Sequence, residues 1–215
     1  MSQLKANRSF HFIPANKYRL FSRIELLAAD HIIFDLEDSV PDSEKNDARN
    51  NLRDFFQHNP PKVISDFHVR INSINSNNFV EDIKLINDLK IQSLVIPKVQ
   101  SVLQIDNIEK MLNANNIKFI ALIEDYLGLI SLQNITNHDA IWAVGLGLED
   151  MYSNFRVENN KLIKLSAHIR YDVLKACKAS NKLSIDTISN EFYDTEKIKN
   201  ECIEVKHFGY DSKFS

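Results

Sequence analysis

Three times in this chain an apolar run of strand length ends in a Glu–Asp pair: HIIFDLED (31–38), FIALIED (119–125) and AVGLGLED (143–150). A run that is apolar on successive residues, rather than on alternate ones, must be covered on both faces, as the strands of a parallel sheet are. Parallel neighbours need a crossover between them, and their C-terminal ends all point the same way. A sheet of this kind carries its terminal acids to one side. The fourth Glu–Asp pair, Glu81–Asp82, has no such run before it and has helical surroundings.

Four further short runs punctuate the chain: FHFIPA (10–15), FHVRI (67–71), SLVIPKV (93–99) and LSIDTI (183–188). The segments between them have helical spacing. In 43–57, Ala48, Leu52, Phe55 and Phe56 share a face, with Asp42 or Ser43 as the expected N-cap after Pro41. In 78–90, Phe79, Ile83, Ile86 and Leu89 do the same, and 161–180 predicts a longer helix. Strands alternating with helices predict an α/β fold of right-handed units on a parallel sheet. Their spacing approaches that of a TIM (β/α)8-type barrel, which typically takes about 250 residues. A single domain over residues 1–215 is expected. The final GYDSKFS (209–215) offers only a stub for the last strand, so the barrel is expected to be shortened at its C-terminus, with that strand a stub or missing. An open doubly wound sheet is the alternative architecture. Both bind ligands at the carboxyl ends of the strands, so Glu37, Glu124 and Asp150 should face one mouth.

Composition narrows the function classes. A formal net charge of −3 and the lack of any Lys/Arg block give no reason to expect nucleic acid. No apolar stretch approaches the roughly 18 residues of a membrane span. The opening MSQLKANRSF has no apolar core of a secretory signal. Cys177 and Cys202 fit no metal spacing and are expected to be buried thiols of a reduced, cytoplasmic protein.

Glu124 and Asp150, converging from separate strand ends, would repel each other unless a cation or proton intervened. Hard oxygen ligands of this kind suit Mg2+; alternatively, each acid caps the helix that follows it. Arg70 closes FHVRI, where a guanidinium can grip a carboxylate in bidentate fashion. It could equally form a structural ion pair with Glu37 or Asp35, and both roles can hold if an acid orients the arginine from behind. Gly145 and Gly147 allow close backbone approach to a ligand, or simply a bend in the strand. Arg8, Lys45 and Arg49 could meet at the rim as a phosphate-binding cluster, or decorate a solvated face. The seven histidines show no paired metal-ligand spacing, and no Ser/His/Asp, Cys/His or P-loop arrangement is present.

Together these stretches resemble the citrate lyase β-subunit-like family of CoA-ester lyases, within the HpcH/HpaI aldolase superfamily. RSFHFIPAN (8–16) looks like the family's R-S-x-L-F-V-P-G-N opening, and ADHIIFDLEDSVPDSEKNDAR (29–49) like its A-D-x-x-x-x-D-L-E-D-x-V…K…A-R stretch. VRIN (69–72), IPKV (96–99), LIED (122–125) and GLEDM (147–151) follow in family order. The resemblance implies a TIM barrel that binds Mg2+ through Glu124 and Asp150. Arg70 would hold a 2-oxo acid, with Gly147 and the backbone N–H groups near Glu149 and Asp150 assisting and Glu37 supporting Arg70. It implies cleavage or formation of a carbon–carbon bond in a 3-hydroxyacyl-CoA thioester of the citryl-, malyl- or citramalyl-CoA type. For such a thioester, the rim cluster of Arg8, Lys45 and Arg49 is the candidate contact for the CoA phosphates. It also implies a homo-oligomer.

The chain departs from the family pattern in several places. Ala15 stands for a usual Gly, Asp125 for Thr and Gln100 for an acid. MYSNFRVENN (151–160) lacks the usual small-residue pattern, and the chain ends before the family's I-H-P segment. The resemblance therefore extends further to the oxo-acid and metal core than to the CoA cleft. An aldolase acting on a CoA-free 4-hydroxy-2-oxo acid, and a non-catalytic binding or scaffold subunit, are the competing expectations.

Overall fold

The computed structural model describes residues 7–58, 67–154, 159–189, 191 and 193–215. The start of the segment read for a secretory signal, and 155–158 of the stretch after Asp150, lie outside them. Eight parallel strands close into a barrel in sequence order. They are β1 (Ser9–Pro14), β2 (His31–Asp35), β3 (Phe67–Arg70), β4 (Ser93–Ile96), β5 (Lys118–Ile123), β6 (Ile141–Leu146), β7 (Leu183–Asp186) and β8 (Ser212–Phe214). The helices are α1 (Lys45–His58), α2 (Phe79–Leu89), α3 (Val102–Met111), α4 (Tyr126–Thr136), α5 (Leu148–Asn154), α6 (Asn159–Ala179) and α7 (Thr195–Phe208). Among the described residues, no helix is long and apolar enough to cross a membrane.

The closing strand is the expected stub, only three residues long, yet it pairs on both sides. The seam is reinforced by Lys213 N–H to Arg8 O (3.0 Å), Ser215 N–H to Phe10 O and Phe12 N–H to Ser215 O (both 2.9 Å). An open sheet is thereby excluded. The start of α1 differs from expectation. Asp42–Glu44 forms a 3-10 turn whose cap position, Pro41, offers no side-chain bond, and the α-helix begins only at Lys45.

Two apolar layers result from the strand pattern. Outward-facing residues such as Phe34, Val69, Leu94 and Val144 meet the helices in one large cluster. Inward-facing Phe10, Ile33, Val95, Ile120, Leu122, Ala143, Ile185 and Phe214 fill the barrel. Cys177 is buried, which pushes its thiol up to about 12, whereas Cys202 on α7 is exposed, contrary to expectation.

Polar groups sit on the inner face at the N-terminal end of the strands, and two histidines, a serine and an asparagine among them form a line. His31 Nε2 lies 2.7 Å from Asn7 Oδ1, His68 Nε2 lies 3.0 Å from His31 Nδ1, and His68 Nδ1 lies 2.6 Å from Ser93 Oγ. Because the Asn7 oxygen can only accept, a line with both rings neutral is enough to satisfy these contacts: Ser93 to His68 to His31 to Asn7. Phe10 stacks on His31 (4.3 Å, 7°) and Trp142 on His68 (5.8 Å, 21°), sealing this floor.

Candidate active site

The opposite end of the barrel gathers charge. Asp35, the last residue of β2, is completely buried and accepts from Arg70 Nε (2.7 Å) and Nη2 (2.6 Å). It also accepts from the backbone of Glu37 (2.8 Å) and Ser39 (3.1 Å) and from the Ser39 hydroxyl. Burial alone would raise this carboxyl, but Arg70 and the convergent donors outweigh it and hold it below the usual carboxylate range. Arg70 is likewise penalised by burial and held fully charged by Asp35.

The bidentate edge of Arg70 is therefore spent on Asp35, and the main orienting partner is Asp35 rather than Glu37. What Arg70 presents to the cavity is Nη1, which lies 3.2 Å from Glu37 Oε2 and 3.8 Å from Asp38. The Phe12 ring supports the guanidinium from one side, 4.8 Å away. Glu37 is buried and its carboxyl is raised, chiefly by burial. Its Oε2 completes no hydrogen bond despite its proximity to Arg70.

Glu124 follows β5 directly and Asp150 sits in the first turn of α5, so Asp150 is delivered by a helix rather than by a strand end. Both line the same two lobes of the mouth. One lobe, about 300 Å³, is walled by Phe12, Pro14, Leu122, Leu146, Ile188 and Phe214, with Arg70 within it. The other, of similar size, is polar and includes Ser73, Asn75, Gln100 and Ser153. Burial, then Glu37, then Asp150 push the Glu124 carboxyl up to about 7, against the pull of Arg70 and of a bond from Lys98 N–H. Two oxygen donors from separate elements, one of them buried among like charges, make a site that a hard divalent cation fits, because it would remove that repulsion. The capping alternative belongs to the neighbouring acid: Asp125, not Glu124, caps α4 by accepting from Gly128 N–H at 2.9 Å.

Gly147 serves Glu124. A Cβ there would lie 2.6 Å from Glu124 Cγ, so only glycine leaves room for the carboxylate stem. The N–H of Gly147 is itself occupied, donating to Ile123 O at 3.0 Å. Glu149 and Asp150 occupy the first turn of α5, whose first closing N–H is that of Met151 onto Gly147 O (3.2 Å). Gly145 similarly makes room for Phe214, whose ring a Cβ would meet at 2.5 Å.

The three cations expected to share the rim do not meet there. Arg8 precedes β1 and so lies at the N-terminal end, where Asp30 takes both its Nε (2.9 Å) and Nη2 (2.8 Å). Lys45 is buried and donates to the carbonyls of Leu36 and Glu37, both at 2.7 Å. Arg49 is buried and paired with Asp82 at 2.8 Å. Lys98, in contrast, was given no role by its spacing, yet its ammonium lies in the mouth, 3.0 Å from Glu37 Oε1 and 3.3 Å from Asp150 Oδ2. The left-handed backbone that turns it there (φ 53°) leaves no trace in a lone lysine code. Gln100 Nε2 donates to Asp125 Oδ2 at 2.5 Å, so these two unusual residues are partners.

Outside the barrel, Asp106, Glu109 and His138 bring ligand-type atoms within 4.8 Å of one another. His138 Nδ1 accepts from Ala140 N–H (3.2 Å), so Nε2 carries the proton that points at Asp106 (3.1 Å). That tautomer turns a hydrogen, not a lone pair, toward the acids.

The family model for HpcH/HpaI aldolase/citrate lyase matches residues 8–215. The chain belongs to this family. Among curated relatives, a (3S)-malyl-CoA thioesterase of Cereibacter sphaeroides is 27% identical, covering 96% of this chain and 71% of the relative. The citrate lyase subunit beta of Haemophilus influenzae is 28% identical, covering 98% and 75% respectively. Among solved structures, CitE of Mycobacterium tuberculosis with magnesium and pyruvate superposes with a TM-score of 0.84 at 25% identity, covering 97% of this chain and 84% of that one. The same protein with magnesium, acetoacetate and coenzyme A gives 0.84 at 25%, covering 97% and 76%.

Proposed function

We propose that this protein is an Mg2+-dependent carbon–carbon lyase that splits a 3-hydroxyacyl-CoA thioester into a 2-oxo acid and an acyl-CoA, or runs the reverse condensation. The observation that carries this reading is the shared cavity of Arg70, Glu124 and Asp150. The magnesium, oxo-acid and coenzyme A complexes of the structural relatives support it. Glu124 and Asp150 would hold the ion, which supplies polarisation of the oxygen that becomes the ketone.

This chain's own groups do the rest. Arg70, locked by Asp35 and backed by Phe12, offers Nη1 to the carboxylate of the oxo-acid fragment and keeps that end from rotating. Glu37 pairs with that edge by charge alone, its Oε2 lying 3.2 Å from Nη1 without a completed hydrogen bond. Backbone N–H groups of Glu149 and Asp150, in the first turn of α5, would donate to the same anion. The apolar wall of Phe12, Leu122, Leu146 and Phe214 excludes water from the carbon–carbon bond. On cleavage the bonding pair passes to the α-carbon of the acyl fragment, which takes up a proton, and the hydroxyl of the other fragment loses one.

The scattering of Arg8, Lys45 and Arg49 favours a second reading, an aldolase on a CoA-free 4-hydroxy-2-oxo acid, which needs no phosphate-binding cluster. One panel tests both. Malyl-, citramalyl- and citryl-CoA are incubated with enzyme and Mg2+ and assayed for oxo acid and free CoA, beside the CoA-free acids. Oxo acid released from a thioester, with CoA still esterified, supports the lyase. Free thiol without oxo acid would indicate hydrolysis of the thioester, and turnover of the CoA-free acids alone would favour the aldolase.

A further inference from the structure

The mouth contains a cation that the reaction above does not use. Lys98 touches both acids assigned to the metal, by two different parts of one residue. Its backbone N–H donates to Glu124 Oε2 at 2.8 Å, while its ammonium lies 3.3 Å from Asp150 Oδ2. The same ammonium is anchored on Glu37 Oε1 at 3.0 Å and lies 3.6 Å from Asp38. A left-handed conformation (φ 53°) at a non-glycine residue makes this double reach possible, and such a conformation persists only where its surroundings impose it. We propose that Lys98 is a tethered counter-ion: it offsets part of the charge of the acid ring while no divalent ion is present, and it is displaced from Asp150, though not from Glu37, when one binds.

The physical reason is competition for one oxygen. An ammonium at ion-pair distance from Asp150 blocks a direct bond from that oxygen to a metal, and a dication placed between Glu124 and Asp150 would repel the ammonium strongly at such range. Lys98 can yield, because its side chain is partly exposed and flexible and Glu37 gives it a second resting place. Its backbone bond to Glu124 need not move, so the buried ligand keeps its aim throughout. Lys98 is thus a positioning residue that tunes how tightly and how selectively the site takes a divalent ion.

This inference rests on the reading of Glu124 and Asp150 as metal ligands, and the test separates the two. Mn2+ alone is titrated into wild type, Lys98→Met and Lys98→Arg, with binding followed by electron paramagnetic resonance and by calorimetry, and with melting recorded without metal. None of these replacements is glycine, so the backbone demand at position 98 is unchanged. Lys98→Met should bind Mn2+ roughly tenfold more tightly and melt lower without metal, and Lys98→Arg should restore wild-type-like affinity. Binding by wild type with equal or weaker binding by Lys98→Met would overturn the counter-ion role while leaving the metal site intact. Failure of all three proteins to bind Mn2+ would remove the metal site and this inference with it.

Discussion

The two ends of this barrel solve the same problem in opposite ways. Each must accommodate polar side chains inside a ring of apolar strands. The N-terminal end uses neutral groups joined by one directed line of hydrogen bonds, from Ser93 through His68 and His31 to Asn7, roofed by aromatic rings. The C-terminal end uses ionisable groups, with Asp35, Glu37, Asp38, Glu124 and Asp150 set against Arg70 and Lys98. A neutral line with every partner supplied is complete and has nothing further to offer a ligand. An acid-rich ring that its own cations do not balance is open to an added cation. Reactivity therefore resides where the protein's charge is unbalanced, and rigidity where its hydrogen bonds are.

The contrast can be broken from either side. The largest effect is expected at Arg70→Ala, which strands Asp35 as an unpaired buried charge. Urea melts should show a loss of about 3–5 kcal/mol, and turnover of the folded fraction should fall by about 10²–10³-fold or more. A stability loss without the kinetic one would reduce Arg70 to a structural ion pair.

Glu124→Gln should act through pH. A carboxyl whose folded pKa is raised, from an ordinary 4.5 to about 7, holds its proton more tightly in the folded state than in the unfolded one. Its destabilising charge is absent below about pH 4.5 and fully present above about pH 7, a difference on the order of 3 kcal/mol. In metal-free protein, melting temperatures of wild type and variant should therefore agree near pH 4.5 and diverge by pH 8, the variant being higher. The variant should also lose stabilisation by Mg2+, which in wild type should strengthen as pH rises through 7.

At the neutral end, His68→Leu should cost about 1–3 kcal/mol, because Ser93 and His31 lose a partner. The folded variant should retain wild-type Mg2+ response; a change in metal affinity would mean that the two ends are coupled. The smallest effect is expected at Arg8→Ala. Its partner Asp30 lies at the end away from the mouth, so KM for an acyl-CoA should not change.

The strands were legible because their apolar runs are continuous, and continuity on both faces has few structural meanings. The place of Glu37 and Glu124 at the mouth followed from strand polarity, whereas Asp150 reaches it from the first turn of α5. The same polarity argues against Arg8, which stands before its strand and so at the far end. Lys45 and Arg49 mislead for a different reason. On a helical wheel they look solvated, and only the folded chain brings the carbonyls of Leu36 and Glu37 and the carboxylate of Asp82 against them. Asp35 and Glu37 are equal candidates as partners for Arg70 in the sequence, because nothing local says which acid of DLED turns inward. Lys98 needed a backbone angle that its code does not signal, and Cys202 needed to know which face of α7 meets the barrel.

Phe214 belongs at once to the shortest strand and to the lining of the apolar lobe, and its ring fills the notch that Gly145 leaves. The seam is thus also a piece of the cavity wall. Gentle warming that unzips this edge would open the pocket to water before the remaining staves separate, so catalysis should fade at temperatures where far-ultraviolet circular dichroism is still that of the intact protein.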